Sequence, residues 1–325
     1  MLDHRLIQRV LFPGEPDPRV LEVLAGVRDG GKRLSRHLGG ESAIRALQRL
    51  LIFLGYSTFS GGSYAVDGDF GRGTNRGVAQ FQVENNLPTA AGRDSLCYDC
   101  NYRTARKNIT RIPDVEVDQA TLDAMLEKAL QAAAGGQVTF GDADAALFHL
   151  NRIDSGRLLN CRQIFEQYWT AVIKAVNLMQ ETAGIDIAPA WVLAIIRQET
   201  AGVVRPRFEQ HHLTKFNRAA PHEELAELRF RATSFGLGQV MGFNYRKVGA
   251  ASARDMLYSP LDEQVLFVAR FIAGKRRVVA KRDPSREDFR IMARYYNGPR
   301  YADHHYDESL ATWFREFQEI GVDHD

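Results

Sequence analysis

Cysteine is scarce: three residues in 325 are too few for a disulfide framework. Cys97 and Cys100 form a lone Cys-x-x-Cys with no second pair, and Cys161 stands apart in a helical pattern. A structural zinc usually takes four ligands, so the pair reads as two loop thiols or a local disulfide. His211-His212 and His304-His305 lack a carboxylate or cysteine at matching helical spacing, so no metal and no cofactor are expected. No apolar run approaches the roughly 20 residues that span a bilayer, which predicts no membrane insertion. A net charge of +2 gives no reason to expect nucleic acid as a partner. The opening Met1-Leu2-Asp3-His4-Arg5 shows no basic segment followed by a long apolar one. It therefore predicts synthesis in the cytoplasm without a signal peptide.

What is present is enough to build packed cores. Apolar residues make up 45% of the chain and charged residues 25%, which argues against global disorder. The length suits two domains. Residues 1–33 read as a lead-in broken by Pro13, Pro16, Pro18 and Gly30-Gly31, with one short helix near 20–27. Ile44, Leu47, Leu50, Leu51 and Leu54 recur at three- and four-residue spacing, predicting an amphipathic helix over 42–55 that Gly55 closes. A glycine-rich turn follows, then Val66-Asp67-Gly68-Asp69-Phe70-Gly71-Arg72-Gly73-Thr74. Thr74 is placed to cap a second helix over 74–86. After a loop at 90–113 that holds both loop cysteines, Val117 to Leu122 opens a third helix ending near 134.

This arrangement resembles the peptidoglycan-binding type 1 module, best between Leu47-Gln48 and Phe81-Gln82. The resemblance implies a small three-helix domain over 34–131 whose candidate binding positions are Asp67, Asp69, Phe70, Arg72, Thr74 and Gln82. Asp67 and Thr74, with Gly68 and Gly71, are read as shaping the turn rather than touching glycan. The 90–113 loop departs from the compact family pattern. Residues 132–155, with Ala132-Ala133-Ala134-Gly135-Gly136 and a polar run, read as a linker.

From Cys161 on, helices are predicted at 161–183, 189–201, 239–248, 261–281, 286–296 and 307–320. Pro189 suits a first helical turn, and Trp191, Ile195 and Glu199 recur every fourth residue up to Gly202. A carboxyl continuing an apolar stripe at a helix's negative end has two reasons to keep its proton: burial and the helix dipole. Those conditions make a general acid near neutral pH. From position alone, a partly exposed helix-end Glu beside Arg197 or Arg205 is the favoured reading.

Two further segments follow in order: Ser234-Phe235-Gly236-Leu237-Gly238-Gln239-Val240 and Tyr295-Tyr296-Asn297-Gly298. With Gln198-Glu199-Thr200 this looks like the plan shared by goose-type lysozymes and lytic transglycosylases. A closer resemblance is to the phage-type N-acetylmuramidase family. It rests on Arg205-Pro206-Arg207-Phe208-Glu209-Gln210-His211, on Ser234 through Gly242-Phe243-Asn244-Tyr245, and on Ala293 to Pro299 with Tyr301-Ala302. It spans about 160–320. Between His211 and Ser234 the related enzymes carry a longer stretch, so the cleft wall here is expected to differ.

The resemblance implies a mainly α protein, with a lysozyme-like domain over 156–325 behind the wall-binding module. It implies peptidoglycan glycan strands as partner and cleavage of the β-1,4 bond between MurNAc and GlcNAc, with lysis of the bacterial cell. Glu199 is the expected acid. Glu209 is either a second carboxylate, a substrate contact or a structural ion pair. Gln239 and Asn297 carry amides suited to N-acetyl and hydroxyl groups. Tyr245, Tyr295 and Tyr296 offer faces to sugar rings or pack in the core, and Ser234 orients substrate or caps a helix. His211 is at most a contact beside the cleft. Lytic transglycosylation to 1,6-anhydro-MurNAc, or wall binding without catalysis, are the alternatives. A monomer is expected that reaches the wall through a holin-type membrane hole or a secretion machine, with an immunity protein as partner in the second case.

Overall fold

A computed structural model describes residues 1–59, 65–105, 107–138 and 140–321. The glycine-rich turn expected after residue 55 falls largely on 60–64, outside the described residues. The chain is mainly α-helical. The first half holds α1 (Arg5–Leu11), α2 (Pro18–Arg28), α3 (Gly40–Phe53), α4 (Arg72–Glu84), the short α5 (Arg93–Leu96), α6 (Gln119–Ala134) and α7 (Ala143–Ser155). The second holds α8 (Cys161–Ala183), α9 (Pro189–Thr200), α10 (Gln210–Ala219), α11 (Leu225–Arg231) and α12 (Ala253–Tyr258). It continues through α13 (Leu261–Ile272), α14 (Arg276–Val279), α15 (Arg286–Tyr296) and α16 (Tyr306–Ile320). A small antiparallel sheet, β1 (Arg207–Phe208), β2 (Thr233–Phe235) and β3 (Val240–Met241), pairs in the order β1-β2-β3. Among the described residues no helix is long and apolar enough to cross a membrane.

In the first half, α3 is the central helix and packs against α1, α2, α4, α6 and α7. Its apolar stripe is buried from Ala43 to Phe53, and Gly55 sits just past its end at φ +83°, where a side chain is strained. Helix α4 starts two residues before Thr74, with Gly71 at its N-cap. Thr74 instead points inward, donating to Asp69 O and receiving a bond from Gln48 Nε2. The close approach of α4 to the preceding segment needs Gly73, where a β-carbon would fall 1.8 Å from Thr58 O.

The expected linker at 132–155 is instead largely ordered: α6 runs to Ala134, and α7 occupies 143–155 with Asp142 as its cap. Its Asp154 pairs with the buried Arg49 of α3 at 2.8 Å, and Asn151 accepts from the same guanidinium. Apolar residues at 146, 147, 150 and 153 recur at helical spacing, which the preceding alanine and glycine tract obscured.

In the second half, α9 runs through the middle, flanked by α8, α13 and α16. Trp191, entirely buried, packs on Phe289 and Phe314 from α15 and α16. Two expected helices differ. The 239–248 span forms β3 and a short 3-10 turn at Gly242–Asn244, because Val240 pairs with Phe235 across the sheet. The 261–281 span breaks at Ala273–Lys275. A β-carbon at Gly274 would lie 2.1 Å from Tyr295 Oη, so the tyrosine occupies the space of a continuing helix.

The halves are joined by buried polar contacts. Arg229 of α11 grips Glu84 of α4 at 2.6 and 3.1 Å, with both side chains almost wholly buried, and also donates to Gly55 O. The 90–113 insertion reaches across as well. Gln210 Nε2 donates to Leu96 O and Thr214 Oγ1 to Tyr98 O, while Arg93 bonds Asn217 and Glu223 O. Cys97, Cys100 and Cys161 are buried free thiols, and the Cys100 thiol meets Thr214 Oγ1 at 3.3 Å. The loop pair therefore forms no local disulfide.

Candidate active site

The last turn of α9 is fixed from three sides. Thr200 Oγ1 donates to Leu237 O at 2.8 Å, tying the helix end to the Gly236–Gly238 segment. Ala201 and Gly202 turn the chain away at φ +48° and +72°, and Tyr168 of α8 donates to Gly202 O. Tyr296, at the end of α15, donates to Gly238 O at 2.6 Å. Glu199 lies at this junction, partly buried.

Its Oε1 accepts a 2.5 Å hydrogen bond from Tyr306 Oη at the first residue of α16. Burial raises the Glu199 carboxyl, the Tyr306 hydrogen bond and the Arg207 charge oppose it, and the balance sets its pKa at about 7. Burial and the neighbouring Glu199 charge push the Tyr306 and Tyr296 phenols well up, so both remain protonated donors. A carboxyl that keeps its proton over part of the neutral range is equipped to give it to a leaving oxygen.

Glu209 follows β1 and caps α10. It pairs with Arg207 Nε at 3.0 Å and approaches His211 Nδ1 at 3.8 Å. Arg207 thus acts electrostatically on Glu199 and pairs directly with Glu209. Burial lowers the His211 pKa, against the pull of Glu209. The His211 ring meets exposed Tyr102 of the insertion edge-on at 5.2 Å, and Arg300 lies over that tyrosine.

The remaining predicted residues divide sharply. Gln239 sits at the turn between β2 and β3 with φ +48°, a costly backbone for a non-glycine residue and of a kind that clusters at functional sites. Its amide is spent on the chain: Nε2 donates to Arg205 O and Gly236 O, and Oε1 accepts from Ser234 Oγ. Ser234 is buried, and its single hydroxyl proton is shared between Gln239 Oε1 at 3.0 Å and Arg207 O at 3.3 Å. Both hold the β1-β2-β3 turn in shape. Tyr295 donates to Phe271 O and packs against that ring, with Lys247 and Lys275 over its own. Tyr245 packs on the small core beside β3. Asn297 is exposed at the C-cap of α15.

In the first half of the chain Phe70, Thr74 and Gln82 are buried. Asp67 accepts from Gln48 and from Asp69 N, and Gln82 donates to Glu116 O and Thr121. These residues build this half, while Asp69 and Arg72 are the exposed pair.

Tyr306 escaped the sequence reading because it lies 107 positions from Glu199 and starts a helix with no motif around it. Among the described residues no group of three or more His, Cys, Asp or Glu side chains is placed to hold a metal ion.

With this geometry in place, residues 157–318 match the family model for N-acetylmuramidase. That stretch of the chain is an N-acetylmuramidase domain. Residues 40–92 match the peptidoglycan binding domain model, so the muramidase domain follows a wall-binding module and the chain is a peptidoglycan hydrolase. Among solved structures, the crystal structure of Burkholderia AP3 phage endolysin is similar at 18% identity and a TM-score of 0.37, covering 89% of this chain and 99% of that one. No curated protein matches the chain.

Proposed function

We propose that this muramidase hydrolyses the β-1,4 bond between MurNAc and GlcNAc, with Glu199 protonating the leaving oxygen. The observation that carries this is the Glu199 carboxyl at the end of α9, with its pKa raised to about 7 by burial and its orientation fixed by Tyr306. Glycoside hydrolysis by this route takes a second carboxylate, and Glu209 fills that role. Its support is Arg207, whose charge acts on Glu199 and whose guanidinium pairs with Glu209. Asn297 and the rim at His211 contact the sugars, while Ser234 and Gln239 shape the turn that holds Arg207. The wall-binding module keeps the enzyme on its polymer and raises the local substrate concentration. Cleavage at the wall lyses the cell, with a monomer as the active species.

The test is digestion of purified sacculi followed by mass spectrometry of the released muropeptides. Reducing-end MurNAc is expected, and Glu199→Gln releases none. Products ending in 1,6-anhydro-MurNAc would replace hydrolysis by transglycosylation, and reducing-end GlcNAc would move the cut to the other bond. Unchanged release by Glu199→Gln would remove Glu199 from the chemistry.

A further inference from the structure

A pocket of ≈ 240 Å³ lies between the wall-binding module and the muramidase domain, outside the Glu199 junction. Phe59, Arg72 and Arg76 line it from the module, Tyr98 from the insertion, and Arg207 to Gln210 from the muramidase domain. Arg76 is 5% exposed. One of its terminal nitrogens is held by Ser57 O and Phe59 O, and its Nε has no partner. Leaving a buried donor unsatisfied costs about 1–3 kcal/mol, more for a charged group. Among the described residues the one acid lining the pocket, Glu209, is already paired with Arg207, so their balance there is basic.

A second orphan faces the opposite need. Gln210 is 6% exposed, and its Nε2 is held by Leu96 O, which fixes the amide orientation. Its Oε1 is buried without a donor. Arg76, whose guanidinium lies over the Phe208 ring at 5.1 Å, and Gln210 both line the pocket beside Tyr98 and Phe59, each with one buried polar atom that has no partner, a cationic donor and a neutral acceptor. A bare anion such as phosphate satisfies the first and leaves the second. A peptide satisfies both, its carboxylate on Arg76 and Arg72 and an N–H on Gln210 Oε1.

We propose that this interdomain pocket binds the peptide stem carried by the glycan, through a free carboxylate and a backbone N–H. The inference rests on the peptidoglycan reading above. Glu209 links the two places, as it lines the pocket and is the proposed second carboxylate. A glycan in the cleft would thus have its stem reaching the pocket, and the enzyme would read peptide as well as sugar.

The test uses the full chain and a probe without sugar, the tetrapeptide L-Ala-γ-D-Glu-diaminopimelate-D-Ala, titrated calorimetrically. Wild type is expected to bind it, and Arg76→Gln to bind at least tenfold more weakly. Because Arg76 also holds Ser57 O and Phe59 O, thermal unfolding of the variant is recorded. The exposed Arg72→Gln, expected to weaken binding several-fold, serves if Arg76→Gln does not fold. In parallel, the ratio of cleavage rates on peptide-bearing sacculi and on amidase-stripped strands is expected to fall in both variants. Equal peptide affinity in wild type and variants, an unchanged rate ratio, or inorganic phosphate binding as tightly as the peptide would each overturn the proposal. Wild type that cleaves both substrates but binds no peptide sinks the pocket and leaves the muramidase reading intact. Peptide binding without any cleavage does the reverse.

Discussion

Tyr306 Oη and Glu199 Oε1 stand 2.5 Å apart, the phenol donating to the carboxylate. The bond favours the ionised carboxyl and so works against burial, which favours the neutral one. The acid is the outcome of that opposition. With its pKa at about 7, kcat/KM is expected to fall as pH rises through about 7, where the proton to be donated is lost.

Replacing Tyr306 removes an interaction that lowers the Glu199 pKa. In Tyr306→Phe the alkaline limb is therefore expected to move to higher pH, with a reduced kcat from looser positioning of the acid. A pH–rate profile on soluble chitooligosaccharide or sacculi reads both. An unshifted limb would mean that the phenol does not act on Glu199 in solution.

The same carboxyl has a cost to stability. Its folded pKa of about 7 lies above the ordinary 4.5, so the folded state holds the proton more tightly than the unfolded one. The contribution of this group is expected to be fully present below about 4.5 and to be lost as pH rises through about 7. Glu199→Gln should then stabilise the protein by about 2–3 kcal/mol at pH 8 and by almost nothing near pH 4. Thermal unfolding at the two pH values measures the difference.

His149 acts at the other end of the pH scale. It is fully buried against Phe140, accepts from Val204 N through Nδ1, and its pKa is lowered to about 3 by burial. The unfolded chain takes up a proton near 6.5 that the folded one refuses, so stability is lost as pH falls from about 6.5 towards 3. The loss attributable to this group is as much as about 4 kcal/mol. A His149→Gln variant should show a flatter decline between pH 6 and 4 in denaturant unfolding.

The Arg229–Glu84 pair joins the two halves with both groups out of water. Removing one partner of such a pair costs about 3–5 kcal/mol, because the other is left charged and buried. Arg229→Met is expected to lower the unfolding free energy, read from denaturant unfolding, by that amount, and Glu84→Met added to it to recover a large part. A double-mutant cycle with no coupling would show the pair to be solvated.

Legibility differed by distance along the chain. Helices α3, α8, α9, α15 and α16 follow local periodicity that the sequence displays, and Glu199 was visible because its own helix carries the stripe. Helix α10, α11 and the small sheet were not predicted, since residues such as Arg207 and Phe208 pair with Ser234 and Thr233 through contacts no local pattern encodes. Gln239 and Ser234 are recognisable by motif, but a motif names a residue without saying what its amide or hydroxyl holds, here each other and the carbonyls of Arg205, Arg207 and Gly236. Tyr306 carried no signal at all. It matters through one bond to a helix far back in the chain.

The 90–113 insertion has a bearing on how such chains can be recombined. Its backbone oxygens at Leu96 and Tyr98 accept from Gln210 and Thr214, on the helix that begins beside Glu209. An anchor of this kind cannot be exchanged for another like a plug. A grafted module without the insertion would leave Gln210 and Thr214 bare and loosen one lip of the cleft, so anchor and enzyme would have to be inherited together.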